Sequence, residues 1–241
     1  MQFEFFDPTQ DVYIRYGRLP HWAQAGATYF ITWRTVDSIP ADVLRRWRVE
    51  RAAWLRRRSI DPHGTDVRDR IRELPRADRQ DYHERFTNRW MEKLDECAGA
   101  CVLKRCELSA IVANNLRHLD GKEYVLAALV VMPNHVHVLV QLPHQDQLPR
   151  RCKAWKHYTA TKINRTLGSD GRFWQRESFD HLVRSPEQFK FLLGYIARNP
   201  AAAKLREGEY HHYQRPDAAG NMTSAPAPDG VRVRHCSSLT P

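Results

Sequence analysis

Between Tyr124 and Gln141 the chain reads YVLAALVVM, then Pro133-Asn134, then HVHVLVQ, and few architectures can absorb such a stretch. Tyr124 to Met132 is apolar at odd and even positions alike, as a strand buried on both faces must be. Pro133-Asn134 breaks the run, and His135 to Gln141 then alternates with the period of a strand. The two segments predict a hairpin-like strand pair at the centre of a sheet. Thr28 to Val36, rich in β-branched and aromatic residues, predicts a further strand.

Helical signals surround this pair. Asp37-Ser38-Ile39-Pro40 opens a helix from Ala41 to about Arg58, with proline near its start. Arg45, Arg46, Arg48, Arg56, Arg57 and Arg58 give that helix a basic outer face, suited to solvent or to DNA. Residues 59 to 80 are charged and hold Pro62, Gly64 and Pro75, which predicts an insertion or mobile loop. Helices follow over Asp81 to Cys97 and Leu108 to Leu119. Beyond the strand pair come a helix from Lys153 to Leu167, a short strand within Arg172 to Arg184, and a helix from Pro186 to about Arg198 that ends before Pro200. The expected layout is one domain over residues 1–213, with a helical, charged insertion at about 59–98. A disordered tail over 214–241, rich in Ala, Pro, Gly and Ser, completes it.

The 38 Lys and Arg against 28 Asp and Glu give a formal net charge of +10, which fits a polyanionic partner. The first residues lack the pattern of a signal peptide. No apolar run approaches the roughly 20 residues of a membrane span. Cys97, Cys101, Cys106, Cys152 and Cys236 are odd in number and scattered, so a reducing, cytoplasmic setting is expected. The first three could supply zinc ligands, but without a CxxC pair they read more simply as semi-buried thiols.

His135-Val136-His137 carries the sharpest chemical signal. Residues two apart in a strand project to the same side, so both imidazoles point together. Such a pair can hold one divalent ion if a third ligand approaches, or can simply lie on a solvated face. Tyr195 and Asn199 are four apart on the last helix and share a face. They can meet the imidazoles as nucleophile and neutral oxygen ligand. Alternatively, Tyr195 is a core or rim aromatic and Asn199 a helix C-cap before Pro200.

A resemblance bears on this choice. Val130-Val131-Met132-Pro133-Asn134-His135-Val136-His137-Val138-Leu139 resembles the HUH motif of single-tyrosine transposases of the IS200-like type. Phe173-Trp174-Gln175-Arg176-Glu177-Ser178-Phe179-Asp180, followed by Arg184, is similar to a segment of REP-associated tyrosine transposases. Tyr195-Ile196 with Asn199-Pro200 resembles the tyrosine-helix signature of the same group. Order and spacing agree from about Tyr29 to Leu205.

The resemblance implies an α+β fold, a ferredoxin-like antiparallel sheet with helices on one face. It implies an endonuclease and strand transferase that uses Mg or Mn on single-stranded hairpin DNA through a 5′-phosphotyrosine. Its metal ligands map to His135, His137 and Asn199, and its nucleophile to Tyr195. Tyr158 competes for the nucleophile's role, but the residue four positions on is Lys162, which cannot ligand a cation while protonated. Trp174, Arg176, Arg184, Lys153, Lys156 and Arg198 are the expected DNA contacts, with Trp174 equally suited to a core. A monomer or homodimer with no membrane association is expected. Two rival readings share the same residues: a hairpin-binding protein that no longer cuts, and a metal-dependent hydrolase that activates water.

Overall fold

The computed structural model describes residues 3–16, 20–64, 66–89, 93–94 and 96–218. A small hairpin of β1 (Tyr13–Tyr16) and β2 (Pro20–Ala23) precedes the main sheet. That sheet contains β3 (Thr28–Arg34), β4 (Val125–Val131), β5 (His135–Gln141), β6 (Phe179–Leu182) and β7 (His211–Gln214). Its order is β6-β3-β5-β4-β7, with every neighbouring pair antiparallel. Helices connect β3 to β4 and β5 to β6, so the first four of these strands make the expected ferredoxin-like βαββαβ unit. The sequence expectation for β5 coincides with the observed strand, and β5 lies at the centre of the sheet.

Alternation divides the core in two. Tyr29, Ile31 and Trp33 of β3 share one face with Val136, Val138 and Val140 of β5. Against them pack α4 (Cys106–His118), through Leu108, Val112 and Leu116, and α5 (Gln147–Leu167), through Trp155 and Ile163. Phe30 and Leu139 point to the opposite face, which is covered by Phe189, Leu192 and Ile196 of α6 (Pro186–Ala202). Helices therefore lie on both faces, which corrects the single-face arrangement implied by the resemblance. A bulge in β4 shifts its register between Leu126 and Ala128. It lets Ala127 and Ala128 both face α6 while Leu126 and Leu129 both face α4 and α5.

Two helix ends differ from expectation. The helix α5 begins at Gln147 rather than Lys153, because Pro149 sits in its first turn, where the missing N–H has no helical partner to lose. Ser185 caps α6 by accepting the Gln188 N–H at 3.2 Å. The helix then runs through Pro200 to Ala202, with the Ala203 N–H bonded to the Asn199 carbonyl at 3.1 Å. Asn199 is thus a mid-helix residue and not a cap.

The charged stretch after α1 (Ala41–Arg56) is not a loop. It forms α2 (Val67–Glu73) and α3 (Arg76–His83); the helix expected from Asp81 thus begins at Arg76 and runs directly into a π-helical turn at Glu84–Asn88, while residues 90–92 and 95 of its expected span lie outside the described residues. Trp54, Leu55, Ile60, Val67, Ile71, Tyr82 and Phe86 make a separate apolar cluster there. The Arg58 guanidinium covers the Trp54 ring at 3.6 Å, and the indole N–H donates to Asp81 at 2.7 Å. The expected tail boundary also moves. Gln214 ends β7, Arg215 pairs with Asp120 at 2.6 Å, and Ala218 is buried in the α6-side core. Residues 219–241 lie outside the described residues. Among the described residues no helix is long and apolar enough to cross a membrane.

Candidate active site

The two histidines of β5 point towards α6 and are fully buried. Their ring centroids are 4.7 Å apart and the rings are nearly perpendicular. Each is held through Nδ1. Thr32, its cross-strand neighbour on β3, hydrogen-bonds His137 Nδ1 at 2.7 Å, and Asn134 Oδ1 hydrogen-bonds His135 Nδ1 at 2.7 Å. Phe30 stacks on the His137 ring at 5.3 Å.

Burial pushes the His135 pKa down to about 3, an effect partly opposed by the nearby Asn199 side chain. Burial, reinforced by His135, also holds His137 well below the usual histidine range. Both rings are therefore neutral near pH 7, the form in which imidazole is a ligand.

From the facing helix, the Tyr195 ring meets His137 edge-on with centroids 5.3 Å apart, and lies 6.0 Å from Phe30. One turn further on, the buried Asn199 lies near His135, with neither of its amide atoms hydrogen-bonded among the described residues. The strand pair and the helix face read from the sequence thus converge on one another. Phenol, amide and both imidazoles form a single cluster.

Tyr158 is not part of it. It is 48% exposed on α5, across the sheet from the histidines, with the Lys162 ammonium 5.8 Å from its ring centroid.

The cluster fits a divalent ion. His137 Nε2 is buried and has no hydrogen-bond partner among the described residues, and the opposite nitrogen of each ring is already engaged. Outer hydrogen bonds of this kind orient metal-binding imidazoles. No group of three or more His, Cys, Asp or Glu suited to a metal occurs among the described residues. A third protein ligand would therefore have to be of another type, such as the amide of Asn199.

The expected DNA contacts separate into two groups. Arg184 and Arg198 are exposed on the α6 side, with the Arg198 guanidinium folded over Gly194, where an added Cβ would come within 2.8 Å of it. Lys153 is exposed on α5, on the far side of the sheet. Lys156 is half-buried and gives its ammonium to the Gln175 and Arg176 carbonyls at 3.4 and 2.8 Å, so it fastens a loop. Arg176 itself is exposed.

Trp174 must be withdrawn as a stacking platform. It is only 4% exposed, its indole donates to Thr159 at 2.9 Å, and it packs edge-on against Trp33. Trp174→Ala is expected to cost about 3–5 kcal/mol of stability in a denaturant melt. Loss of DNA affinity at unchanged stability would contradict the core assignment.

Thr32 and Asn134 were not singled out from the sequence. Thr32 offers no signal until its strand partner is known. Asn134 was read as a strand breaker and as part of the motif segment, with no role of its own, although its place directly before His135 was visible.

The geometry can be set beside known proteins. Residues 106–199 match the family model described as "Transposase IS200 like", a span that contains both histidines, Tyr195 and Asn199. A curated Haemophilus influenzae protein described as "Putative REP-associated tyrosine transposase" is 29% identical over 89 residues, covering 30% of this chain and 47% of that protein. The chain thus spans about half the length of the curated relative it matches. A solved structure titled "Structure of the REP associates tyrosine transposase bound to a REP hairpin" aligns over 80% of this chain and 73% of its own, at 16% identity and a TM-score of 0.36. The IS200-like family and its REP-associated members, named from the motifs, are also what the family model and the curated relative name.

Proposed function

We propose that this chain is an endonuclease and strand transferase that cuts single-stranded hairpin DNA with Tyr195 and keeps the cut end as a 5′-phosphotyrosine. The observation that carries this reading is the Tyr195 ring resting against His137, with the buried Asn199 one turn further along the same helix. The match to the IS200-like family over residues 106–199 supports it, as does the description of the Haemophilus relative.

The chemistry follows from what a phosphodiester needs. The Tyr195 oxygen forms a bond to phosphorus and the bond to the 3′-oxygen breaks. The released strand leaves as a 3′-hydroxyl after taking up a proton. A free phenol has a pKa of about 10 and must lose its own proton to attack. Because the ester bond to tyrosine replaces the ester bond to sugar, a 3′-hydroxyl can reverse the step and join strands. A water-activating hydrolase would have no such return.

His135, His137 and Asn199 are the residues that would hold a divalent ion. When bound, a Mg or Mn ion draws charge from a non-bridging phosphate oxygen. The neutral imidazoles suit a transition metal such as Mn, while the family resemblance implies Mg or Mn.

The test is to incubate the protein with Mn²⁺ and hairpin oligonucleotides labelled at one end or the other, then resolve it on a denaturing gel. Label on the 3′ side of the cut should migrate with the protein, and label on the 5′ side should appear as free DNA. An adduct carrying the opposite label, or none on any hairpin cut by the protein, contradicts the mechanism. The basic surface adds a second expectation. Affinity measured by fluorescence anisotropy should fall with salt, by a slope of about 0.7 per phosphate contacted on a single strand. A flat profile would speak against DNA.

A further inference from the structure

The insertion that carries α1, α2 and α3 leaves the sheet after β3 and returns beside the histidines. Its two ends are clasped. The Asp37 carboxylate on the outgoing side accepts the Ala100 N–H of the returning side at 2.8 Å. Between them lies Gly99, at φ 94°, where an added Cβ would stand 2.6 Å from the Asp37 carbonyl oxygen. One residue earlier, the Ala98 carbonyl accepts from Asn134 Nδ2 at 2.9 Å. Asn134 is fully buried, and its other amide atom is the Oδ1 that bonds His135 Nδ1.

This chain of contacts fixes a proton. A backbone carbonyl can only accept, so Ala98 dictates which way the Asn134 amide faces and aims its oxygen at His135. An amide oxygen can likewise only accept, so the proton of the neutral His135 ring must sit on Nδ1. The lone pair then lies on Nε2, towards α6.

We propose that Asn134 is a positioning residue through which the root of the helical insertion sets the tautomer and orientation of His135 for ion binding. The proposal rests on the ion-site reading above and adds a partner to it, namely a backbone carbonyl in a loop well removed from the sequence motif. Loss of the Ala98 contact leaves the amide able to turn, and a turned amide presents N–H groups to Nδ1 and moves the proton to Nε2. His135 then has no lone pair on Nε2 to offer towards α6.

The experiment measures Mn²⁺ uptake by the DNA-free protein in a calorimeter, alongside amide hydrogen exchange at Gly99 and Ala100. Asn134→Ala should weaken Mn²⁺ binding by about 10- to 100-fold, the usual effect of losing such an outer contact. Gly99→Ala touches neither the sheet nor the histidines. It should speed exchange at the clasp and weaken binding by about tenfold. Asn134→Asp offers an acceptor from either oxygen and so no longer needs Ala98. In that background Gly99→Ala should still speed exchange but should leave Mn²⁺ affinity within about threefold of Asn134→Asp alone.

Unchanged Mn²⁺ affinity in a folded Asn134→Ala protein overturns the positioning role. An equal loss from Gly99→Ala in both backgrounds overturns the coupling to the insertion. A wild-type chain that takes up no Mn²⁺ overturns the ion-site reading itself, and this inference with it.

Discussion

Tyr195→Phe is expected to bind hairpin DNA as the wild type does and to form no covalent adduct at any time or ion concentration. The variant removes one oxygen and keeps the ring that packs against Phe30 and His137, so the local packing should survive. No other side chain in the cluster can take over. Asn199 is not a nucleophile, Thr32 is engaged by His137, and Tyr158 lies across the sheet. Tyr158→Phe should therefore retain wild-type cleavage. The measurement is adduct formation on a denaturing gel for both variants, with binding followed separately by anisotropy. Cleavage that persists in Tyr195→Phe without an adduct would instead identify a hydrolytic enzyme. A Tyr158→Phe protein that loses the adduct while Tyr195→Phe keeps it would move the nucleophile to the other face.

His137→Ala should reduce cleavage about 10³-fold or more while leaving hairpin affinity within a few-fold. The loss corresponds to the several kcal/mol that a cation at a phosphate oxygen supplies, at about 1.4 kcal/mol per factor of ten. The residue is buried, stacked on Phe30 and bonded to Thr32, so the variant also leaves a small cavity and an orphaned hydroxyl. That should cost about 1–3 kcal/mol of stability, which a melt would separate from the catalytic effect. Single-turnover cleavage across a Mn²⁺ series is the deciding measurement. Activity that recovers fully at high Mn²⁺ would make His137 dispensable to the chemistry. Activity unchanged at every concentration would remove it from the site.

Much of this arrangement was legible in the chain because it is written in local periodicity. The alternation of HVHVLVQ specified both β5 and the shared direction of its imidazoles. The four-residue spacing of Tyr195 and Asn199 specified their common helix face. What periodicity does not record is which side of a sheet a helix will cover. Both α5 and α6 follow β5 in sequence and both carry a tyrosine, and only the pairing of β6 with β3 sends the chain across to place α6 over the histidines.

Thr32 was hidden for a related reason. Its partner His137 is 105 residues away, and nothing near either residue announces the pair. The mobile-loop alternative for residues 59 to 80 arose because the apolar residues of the insertion are sparse among arginines and aspartates. Seven of them suffice for a cluster once Arg58 covers Trp54 and Asp78 neutralises Arg58. The stop expected before Pro200 came from a real tendency. Here the helix absorbs the missing N–H near its end, and two more residues continue it.

That continuation has a mechanical consequence. Tyr195 and Asn199 ride on one unbroken rod, pinned to the sheet by Phe189, Leu192 and Ile196. Under the tyrosyl mechanism, a captured DNA end cannot be swung elsewhere without lifting the whole rod. It stays parked where it was cut, and the choice between resealing and exchange passes to whichever hydroxyl arrives first. The ratio of the two products should then track the local concentration of competing ends, with the protein serving as a fixed vice rather than a moving arm.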